Sequence, residues 1–217
     1  MFTGLVEEIG EITSTVRTNF GKKIIVSANI ILDGLRIGDS VSINGVCQTV
    51  IAINTNKITF EAVDETLKKT TVGFFSAKQK VNLERSLTLQ TRLGGHFVQG
   101  HVDTKGQIIQ INKRQNSAEI YISFPNEYRY FLAHTGSICV DGVSLTTAEV
   151  HDNFFKVAVI PETLSSTIAK NYKVGNEVNL EFDIIGKYIY NILKCSKNSL
   201  VSLDKKINNN FDFWNLE

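Results

Sequence analysis

The sequence predicts an all-β protein made of two similar small barrels in tandem, followed by one α-helix. The first observation is a repeat, because Asn44–Thr49 returns as Asp141–Thr146, 97 residues further along the chain. A unit of that length is too long for a solenoid repeat and matches a small complete domain. The other two observations are about six short strand-like runs per unit and a helical stripe after residue 183 that neither copy contains.

The repeat continues downstream of this motif at the same spacing. Glu65–Leu67 matches Glu162–Leu164, and Val81–Glu84 matches Val178–Glu181. A shared framework of this extent predicts two similar pockets, one in each copy. Because polar side chains differ between the copies at some positions, we expect the two pockets to bind similar ligands but to have different functional roles.

Runs rich in β-branched residues, with the partial alternation of half-buried strands, recur in each unit. Asn, Asp and Gly residues separate these runs and predict turns. The predicted strands are Ile24–Ala28, Val41–Ile43, Gln48–Ile53 and Lys57–Ala62 in the first unit, and Glu119–Phe124, Ser137–Val140 and Phe154–Val159 in the second. Many short strands with few helices favour a small closed barrel in each unit.

Short helices are predicted after the Glu-Thr-Leu motif of each unit. The predicted ranges are Thr66–Thr71 and Thr163–Lys170, with Thr66 and Thr163 at the capping positions. A further helix is predicted over Asn126–His134, which aligns with residues 31–33 of the first copy.

A third kind of pattern follows Asp183, where apolar residues recur at helical spacing. This stripe consists of Ile185, Tyr188, Ile189, Ile192 and Leu193. It can pack on its own barrel, or against copies of itself in an oligomer about a rotation axis, and the stripe alone does not decide between the two. The predicted organisation is a first barrel at residues 1–96, a second at 97–183, an oligomerisation helix at 184–203 and a tail at 204–217.

Composition places the chain among ordinary globular proteins, with 42% hydrophobic and 21% charged residues and a net charge of +1. No dense Lys/Arg cluster is present, so nothing predicts a nucleic acid or an anionic membrane as partner. The first residues lack the pattern of a secretory signal, and no apolar run approaches the ~20 residues of a membrane span. We therefore expect a cytoplasmic protein. Three widely spaced cysteines without a C-x-x-C motif predict neither a disulfide framework nor a zinc site.

Differences between the copies point to candidate reactive side chains. Cys47 aligns with Ser144, and the apolar Leu5 aligns with His101. A single Cys is more often a small buried hydrophobe than a nucleophile, whereas a His in place of an apolar residue indicates function more strongly. Ser144 and Thr146 lie two apart on one strand, so their hydroxyls face the same side. They can bind one ligand or belong to the polar outer face of the barrel.

His96 follows two glycines at the junction of the two units, where a linker role and a catalytic role are equally consistent with the sequence. The motifs of metalloproteases, of serine hydrolases with a nucleophile elbow, of P-loop proteins and of dinucleotide-binding proteins are absent from the sequence.

Five spaced motifs together resemble the riboflavin synthase family of the lumazine-binding type. They are Met1–Val6, Asn44–Thr49, Gly94–Asp103, Asp141–Thr146 and Ile160–Leu164, and the resemblance runs from Met1 to about Leu193. It implies two six-stranded Greek-key barrels and a C-terminal helix that assembles a homotrimer. It also implies that each active site lies between the N-terminal barrel of one chain and the C-terminal barrel of another. A contact with lumazine synthase is left open.

The reaction that the resemblance implies is a dismutation without cofactor or metal. One 6,7-dimethyl-8-ribityllumazine transfers a four-carbon unit to another, which forms riboflavin and 5-amino-6-ribitylamino-2,4-pyrimidinedione. By position, His101 and Thr146 would assist proton transfer at the donor methyl group, while Ser144, Cys47 and Asp183 would position or activate the acceptor or its nucleophile. The substrate contacts implied in the same way are Gly4, Leu5, Val6, Cys47, Gln48, Thr49, Glu61, Ala62, Val63, Asp64, Glu65, Thr66, Gly100, His101, Val102, Thr135, Ser144, Leu145, Thr146, Val159, Ile160, Pro161, Glu162, Thr163 and Leu164.

One position departs from the family pattern. The family usually has a Lys that reaches the ligand just before the segment that begins at Gly136, and Thr135 stands there, preceded by His134. Either His134 supplies the cation or that contact is missing.

Two other functions are compatible with such barrels. The first alternative is a non-catalytic lumazine or flavin antenna, but both copies retain the glycine, hydroxyl or thiol, and Glu-Thr-Leu elements that such proteins tend to lose in one barrel. A flavoreductase would require an appended nucleotide-binding α/β domain, and no βαβ pattern follows residue 183.

Overall fold

The computed structural model describes residues 1–196, which form two closed six-stranded barrels and a helix. The first barrel consists of antiparallel strands β1 (Glu8–Arg17), β2 (Gly21–Ser27), β3 (Ser40–Ile43), β4 (Val46–Asn54), β5 (Lys57–Val63) and β6 (Lys80–Arg85). Its strands follow the order β1-β2-β5-β4-β3-β6 around the barrel. Because β2 pairs with β5 rather than β3, the connection crosses over as in a Greek key.

The second barrel repeats this topology with β7 (Thr104–Lys113), β8 (Ala118–Ser123), β9 (Ser137–Val140), β10 (Val143–Val150), β11 (Phe154–Val159) and β12 (Glu177–Phe182). Within each barrel, alternate side chains fill the interior, as the pattern of β8 shows, where Ala118, Ile120 and Ile122 are buried and their neighbours are partly exposed. The predicted all-β class, the two barrels and the strands named above are confirmed.

Tight hairpins join β3 to β4 and β9 to β10. Asn44 and Gly45 have φ values of 47° and 78°, and Asp141 and Gly142 have values of 45° and 81°. Positive φ at both central residues is typical of a type I′ turn, for which Asn-Gly and Asp-Gly are preferred. The motif that reveals the repeat is therefore a hairpin turn followed by the strand that bears Cys47 or Ser144.

The short helices begin earlier than the sequence predicts. Helix α1 (Asp64–Lys69) follows Val63, and helix α2 (Pro161–Ser166) follows Ile160, so Thr66 and Thr163 lie inside the helices and do not cap them. Prolines favour the first helical position because they lack an N–H and have a helical φ. The capping threonines are instead Thr70 and Thr167, whose side chains accept from Val72 N and Ala169 N at the start of short 3₁₀ helices.

Those 3₁₀ helices span Thr71–Phe74 and Ile168–Asn171, and two others span Ile30–Leu32 and Asn126–Phe131. The α-helix predicted over Asn126–His134 is therefore shorter and of the tighter 3₁₀ type. Pro125 precedes it, and it aligns with the 3₁₀ turn of the first copy, as the sequence predicts.

The last described element is helix α3, which covers residues 184–196. One side of it packs on the second barrel, where the Tyr190 ring lies 5.5 Å from the Tyr130 ring and 5.3 Å from the Phe131 ring. Lys187 Nζ also lies 2.6 Å from Asp103 Oδ2. The apolar stripe faces away from this contact and stays 53–65% exposed, at Ile185, Tyr188, Ile189, Ile192 and Leu193. Within the described chain the stripe is therefore not buried against its own barrel.

The part of the predicted helix from residue 197 to 203, and the predicted tail at 204–217, lie outside the described residues. The domain limits at 96 and 183 stay a prediction, although all strands of each barrel fall inside its predicted range. None of the helices within residues 1–196 combines the length and apolar character that a membrane span requires.

The two barrels contact each other through symmetric hydrogen bonds. Asn82 on β6 donates from Nδ2 to Asp141 O at 2.8 Å, and its counterpart Asn179 on β12 donates from Nδ2 to Asn44 O at 2.8 Å. All four residues are buried. Because buried amides require partners, each asparagine fixes the hairpin of the opposite barrel.

Candidate active site

Two extended segments cross between the barrels and bring the candidate site residues together. The N-terminal segment (residues 1–6) and the linking segment (residues 94–102) pair in an antiparallel bridge, in which Phe2 N donates to Val98 O at 2.7 Å and Val98 N donates to Phe2 O at 3.1 Å. Phe2 and Val98 are fully buried and pack with Cys139 and Cys47. The bridge therefore lies at the centre of the molecule.

Each segment contacts one strand of the opposite copy, either β4, which bears Cys47, or β10, which bears Ser144. These two strands are called the reactive strands below. Gly4 O, from the first copy, accepts from Ser144 N on β10 at 2.7 Å, and Gly100 O, from the second copy, accepts from Cys47 N on β4 at 2.9 Å. A Cβ added at Gly4 would lie 2.6 Å from Ser144 Cβ, and one at Gly100 would lie 2.6 Å from Cys47 Cβ. The φ values of the two glycines are 75° and 77°. Close approach and positive φ thus both require glycine at these positions.

Buried carboxylates hold the two segments in place. Glu84 on β6 accepts from Thr3 N at 2.6 Å, from Thr3 Oγ1 at 2.7 Å and from Gly4 N at 3.1 Å. Its counterpart on β12, Glu181, accepts from the backbone N–H groups of Gln99, Gly100 and His101 at 2.7, 2.9 and 3.0 Å. Burial raises the pKa of both carboxyl groups, and the hydrogen bonds oppose that rise.

Ser144 has a histidine partner that sequence reasoning left undecided. His96 Nδ1 lies 2.7 Å from Ser144 Oγ, and the imidazole is 7% exposed. Burial lowers the pKa of His96, while the negative charge of Asp183 acts in the opposite direction. A neutral imidazole that is hydrogen-bonded to a hydroxyl can take its proton, as a general base does. Ser144 and His96 therefore form a hydrogen-bonded pair, and Asp183 acts on its imidazole through charge alone.

The geometry around His96 also explains the glycines that precede it. A Cβ added at Gly95 would lie 2.1 Å from Thr3 O and 3.0 Å from Ser144 Oγ, so only glycine fits at this position. His96 N donates to Thr3 O at 3.1 Å. Within residues 1–196, His96 Nε2 is buried and has no hydrogen-bond partner. The Gly-Gly-His sequence was the available signal for this residue, since glycines permit the close approach.

In the first barrel, Cys47 and Thr49 lie on the outer face of β4, partly exposed or exposed, whereas Gln48 points inward and is buried. Gln48 Nε2 donates to Cys47 O at 2.7 Å, and Gln48 Oε1 is buried without a hydrogen-bond partner among the described residues. The side chain of Gln48 is thus separated from the surface that Cys47 and Thr49 share. Cys47 is a free thiol.

His101 lies with the first barrel and Thr146 with the second. The His101 side chain is exposed and follows Gly100, which contacts Cys47. Thr146 is exposed on β10, two residues after Ser144 and on the same face, as predicted. Within one chain the structure therefore groups Cys47 with His101, and Ser144 with Thr146.

The remaining predicted contacts lie where the strand next to the reactive strand leads into a helix. Glu61 to Thr66 cover the end of β5 and the start of α1, and Val159 to Leu164 cover the end of β11 and the start of α2. These strands pair with β4 and β10, which bear Cys47 and Ser144. In the first group, Asp64 pairs with Arg17 at 2.7 Å and Glu61 accepts from Thr18 at 2.9 Å. In both barrels the predicted contacts thus border the reactive strand.

Other predicted contacts differ in exposure. Leu5 is 49% exposed, beside the buried Gly4, while Val102 is buried in the core of the first barrel. Thr135 is exposed and has a φ of 58°. Its hydroxyl donates to His134 O at 2.6 Å. Leu145 packs against the core of the second barrel.

Comparison with known proteins assigns the family. A lumazine binding domain matches twice, over residues 3–86 and 99–183. A Bacillus amyloliquefaciens riboflavin synthase is 41% identical over 89% of this chain and 90% of its own length. A Photobacterium phosphoreum riboflavin synthase is 37% identical over 97% of this chain and 99% of its own length.

Solved structures agree on the fold. LumP in complex with 6,7-dimethyl-8-(1'-D-ribityl) lumazine covers 84% of this chain with a TM-score of 0.76 and 22% identity, and the match spans 99% of LumP. LumP in complex with riboflavin gives a TM-score of 0.79 at the same identity and coverage. The family model and the identity over nearly the whole chain together show that this chain belongs to the riboflavin synthase family, a family of transferases built from two lumazine-binding domains.

Proposed function

We propose that this chain catalyses the dismutation of two molecules of 6,7-dimethyl-8-ribityllumazine into riboflavin and 5-amino-6-ribitylamino-2,4-pyrimidinedione. The observation that carries the proposal is the pair of similar but unequal surfaces, one with Cys47 and His101 and one with Ser144 and its hydrogen-bond partner His96. Two like substrates with different roles require two such surfaces. Relatives with 36–41% identity are named riboflavin synthase.

The two substrate molecules have opposite chemical needs. The donor must lose a proton from its C7 methyl group, which gives a carbanion delocalised into the ring, and the acceptor must take up a nucleophile at its own C7. Hydrogen-bond donors near the pyrimidine carbonyls stabilise the anion. If the two rings are held face to face, a bimolecular reaction becomes effectively unimolecular.

The second barrel suits the acceptor. His96 Nδ1 is in position to take the proton of Ser144 Oγ, or of a water that is hydrogen-bonded to this hydroxyl, so that an oxygen nucleophile can add at C7. Asp183 favours the imidazolium that then forms, because its charge raises the pKa of His96. On the first barrel, the exposed His101 can exchange a proton with the donor methyl group.

A trimer of this chain would unite the two surfaces. The exposed apolar stripe on α3 offers a surface for other copies, since apolar patches of this kind mark interaction sites. If the first barrel of one chain faces the second barrel of another, then Cys47 and His101 meet Ser144, Thr146 and His96 across the interface. A further contact with lumazine synthase, and work in the cytoplasm, belong to the same proposal.

Incubation of the purified protein with 6,7-dimethyl-8-ribityllumazine, without any cofactor, tests the proposal. We expect riboflavin in half the molar amount of lumazine consumed, and much less of it with Ser144→Ala under the same conditions. A reaction without protein corrects for uncatalysed conversion. Saturable lumazine binding without riboflavin formation would contradict the proposal and favour a non-catalytic antenna.

A further inference from the structure

Glu84 and Glu181 are not among the groups that face the substrate in the proposed reaction, yet each is almost fully buried, at 5% and 2% exposed. A buried carboxylate is costly unless several donors compensate for lost hydration. Each of the two accepts three hydrogen bonds from a single extended segment. A buried glutamate that accepts three hydrogen bonds from an extended segment therefore occurs once in each copy.

Each carboxylate serves the barrel opposite to its own. Glu181 belongs to the second barrel, but the Gly100 peptide it holds accepts from Cys47 N in the first barrel. Glu84 belongs to the first barrel, but the Gly4 peptide it holds accepts from Ser144 N in the second. One glycine residue therefore links each glutamate to the reactive residue of the other barrel.

A carboxylate fits this task better than its amide. The groups that point at Glu181 are all N–H donors, and those at Glu84 are N–H and O–H donors. An ionised carboxylate accepts at both oxygens, whereas a glutamine side chain would turn an NH₂ group toward one of these donors. Glutamine therefore keeps the size of the side chain but loses part of the hydrogen bonding that holds the segment.

We propose that Glu84 and Glu181 are crossed positioning residues, in which Glu181 places Cys47 and His101 for the first-barrel site and Glu84 places Ser144 for the second-barrel site. The inference deepens the proposed function and rests on it for the meaning of the two sites. It goes beyond barrel stability, because each glutamate then acts on the barrel to which it does not belong.

The test compares Glu181→Gln with Glu84→Gln, so that each variant is the matched control of the other. Both proteins are treated with iodoacetamide at several times, and mass spectrometry follows alkylation of the Cys47 peptide, with the exposed Cys195 as internal reference for the reagent. Loss of charge-assisted hydrogen bonds should loosen the Gly100 peptide over Cys47. We expect Glu181→Gln to speed Cys47 alkylation about tenfold or more and Glu84→Gln to leave it within about twofold.

Equal acceleration in both variants would overturn the crossed assignment, because it indicates general loosening of the protein. No acceleration in either would also overturn it, because the hydrogen bonds of Glu181 would then not fix the position of Cys47. If Glu181→Gln does not fold, Glu181→Asp and Glu84→Asp are compared by the same criterion. Alkylation does not depend on turnover. Failure of the wild-type protein to form riboflavin would therefore contradict the proposed function and leave this readout intact.

A kinetic measurement separates positioning from stability. Both glutamine variants should lower kcat for riboflavin formation far more than they raise KM, because misplacement of a reacting group by about 1 Å costs on the order of 100-fold in rate. A loss of activity that matches the fraction of unfolded protein, with kcat per folded molecule unchanged, would contradict the positioning role.

Discussion

Asn44 and Phe75 of the first barrel occupy the positions that Asp141 and Tyr172 hold in the second. The backbone role is the same in both, since Asn44 Oδ1 accepts from Asn82 N at 2.7 Å and Asp141 Oδ1 accepts from Asn179 N at 2.8 Å. The second barrel adds a hydrogen bond from the Tyr172 hydroxyl to Asp141 Oδ2 at 2.7 Å. Duplication has thus preserved the hydrogen bonds that define the hairpin while it changed which groups ionise.

The reactive strands differ in the same manner. Ser144 and Cys47 each donate a backbone hydrogen bond to a glycine carbonyl of the crossing segment. Only the Ser144 hydroxyl is paired with an imidazole, that of His96, among the described residues. A symmetric scaffold therefore carries unequal polar groups. Each of the following changes tests a different part of that asymmetry.

The largest effect is expected from the removal of the base beside Ser144. His96→Gln keeps a side chain of similar size but cannot take the Ser144 proton, so kcat for riboflavin formation should fall about 10²–10⁴-fold. His151→Ala is the control, because His151 is exposed and stacks on Phe154 at a hairpin. If His96→Gln retained more than a third of the wild-type kcat, the two barrels would not differ in the way proposed.

The next effect concerns the contact between the two hairpins. A Cβ at Gly45 would lie 2.7 Å from Gly142 N in the other barrel, whereas one at Gly34 meets nothing within 4 Å. Both glycines have positive φ, at 78° and 72°, so alanine costs roughly 1–2 kcal/mol at either position. Gly45→Ala should add about 1–3 kcal/mol of overpacking between the barrels.

Urea unfolding of Gly45→Ala and Gly34→Ala measures the difference in their free energies of unfolding. Similar losses in both variants would show that the two hairpins do not need their close approach, and that only the turn conformation matters.

The pKa of Asp141 distinguishes the second barrel from the first, which has Asn44 at this position. Burial raises it from 3.8 to about 7, against the opposing hydrogen bonds from Asn179 and Tyr172. Because the folded-state pKa lies above the unfolded one, the folded protein keeps the proton in a range where the unfolded chain has released it. The contribution of Asp141 to stability is therefore full below about pH 4 and is lost as the pH rises toward about 7.

Asp141→Asn gives the second barrel the residue of the first and removes this dependence. The free energy of unfolding of the variant minus that of wild type should be larger at pH 8 than at pH 5, by about 3 kcal/mol. Urea unfolding at both pH values measures the change, and Asp141→Asn/Tyr172→Phe extends the comparison to the full first-barrel pair. A difference between variant and wild type that stays constant with pH would show that Asp141 is ionised throughout.

Much of the fold follows from local pattern. Alternation along β8 and the hairpin motifs act over a few residues, and their return after 97 residues shows that the unit occurs twice. Together they predict two barrels and most strands correctly. The start of α1 was wrong because Thr66 resembles a capping residue, while the strand-to-helix turn at Val63 already begins the helix at Asp64. Local preference did not indicate which threonine hydroxyl accepts a hydrogen bond from an unpaired backbone N–H at the start of a helix.

The candidate site was less accessible to sequence reasoning. Ser144 and His96 are 48 residues apart, and Gly4 contacts Ser144 across 140 residues. No periodic pattern encodes which extended segment crosses to which barrel, because that choice depends on the packing of Phe2 and Val98 at the centre. The sequence shows Glu84 and Glu181 at matching positions of the repeat. An acidic residue on a strand does not, however, indicate which backbone groups it binds.

The smallest effect is expected at Thr135, which aligns with Gly38. Thr135 has a φ of 58° and Gly38 one of 95°. A β-branched residue in the left-handed region is strained by roughly 1–2 kcal/mol, and part of that is offset because glycine is more flexible in the unfolded chain. Thr135→Gly should thus raise the free energy of unfolding by up to about 1 kcal/mol, and Gly38→Thr should lower it by roughly 1–2 kcal/mol.

Thermal and urea unfolding of both variants measure this reciprocal exchange. The same variant tests the substrate contact that the family resemblance implies at Thr135. If the hydroxyl, which donates to the adjacent His134 O, is not used by the substrate, Thr135→Gly should leave kcat for riboflavin formation within about twofold. A larger fall in kcat, with stability raised as expected, would mean that the Thr135 side chain contacts the substrate. Strain at this position would then be retained for function in the second barrel, while the first barrel relieves it with glycine.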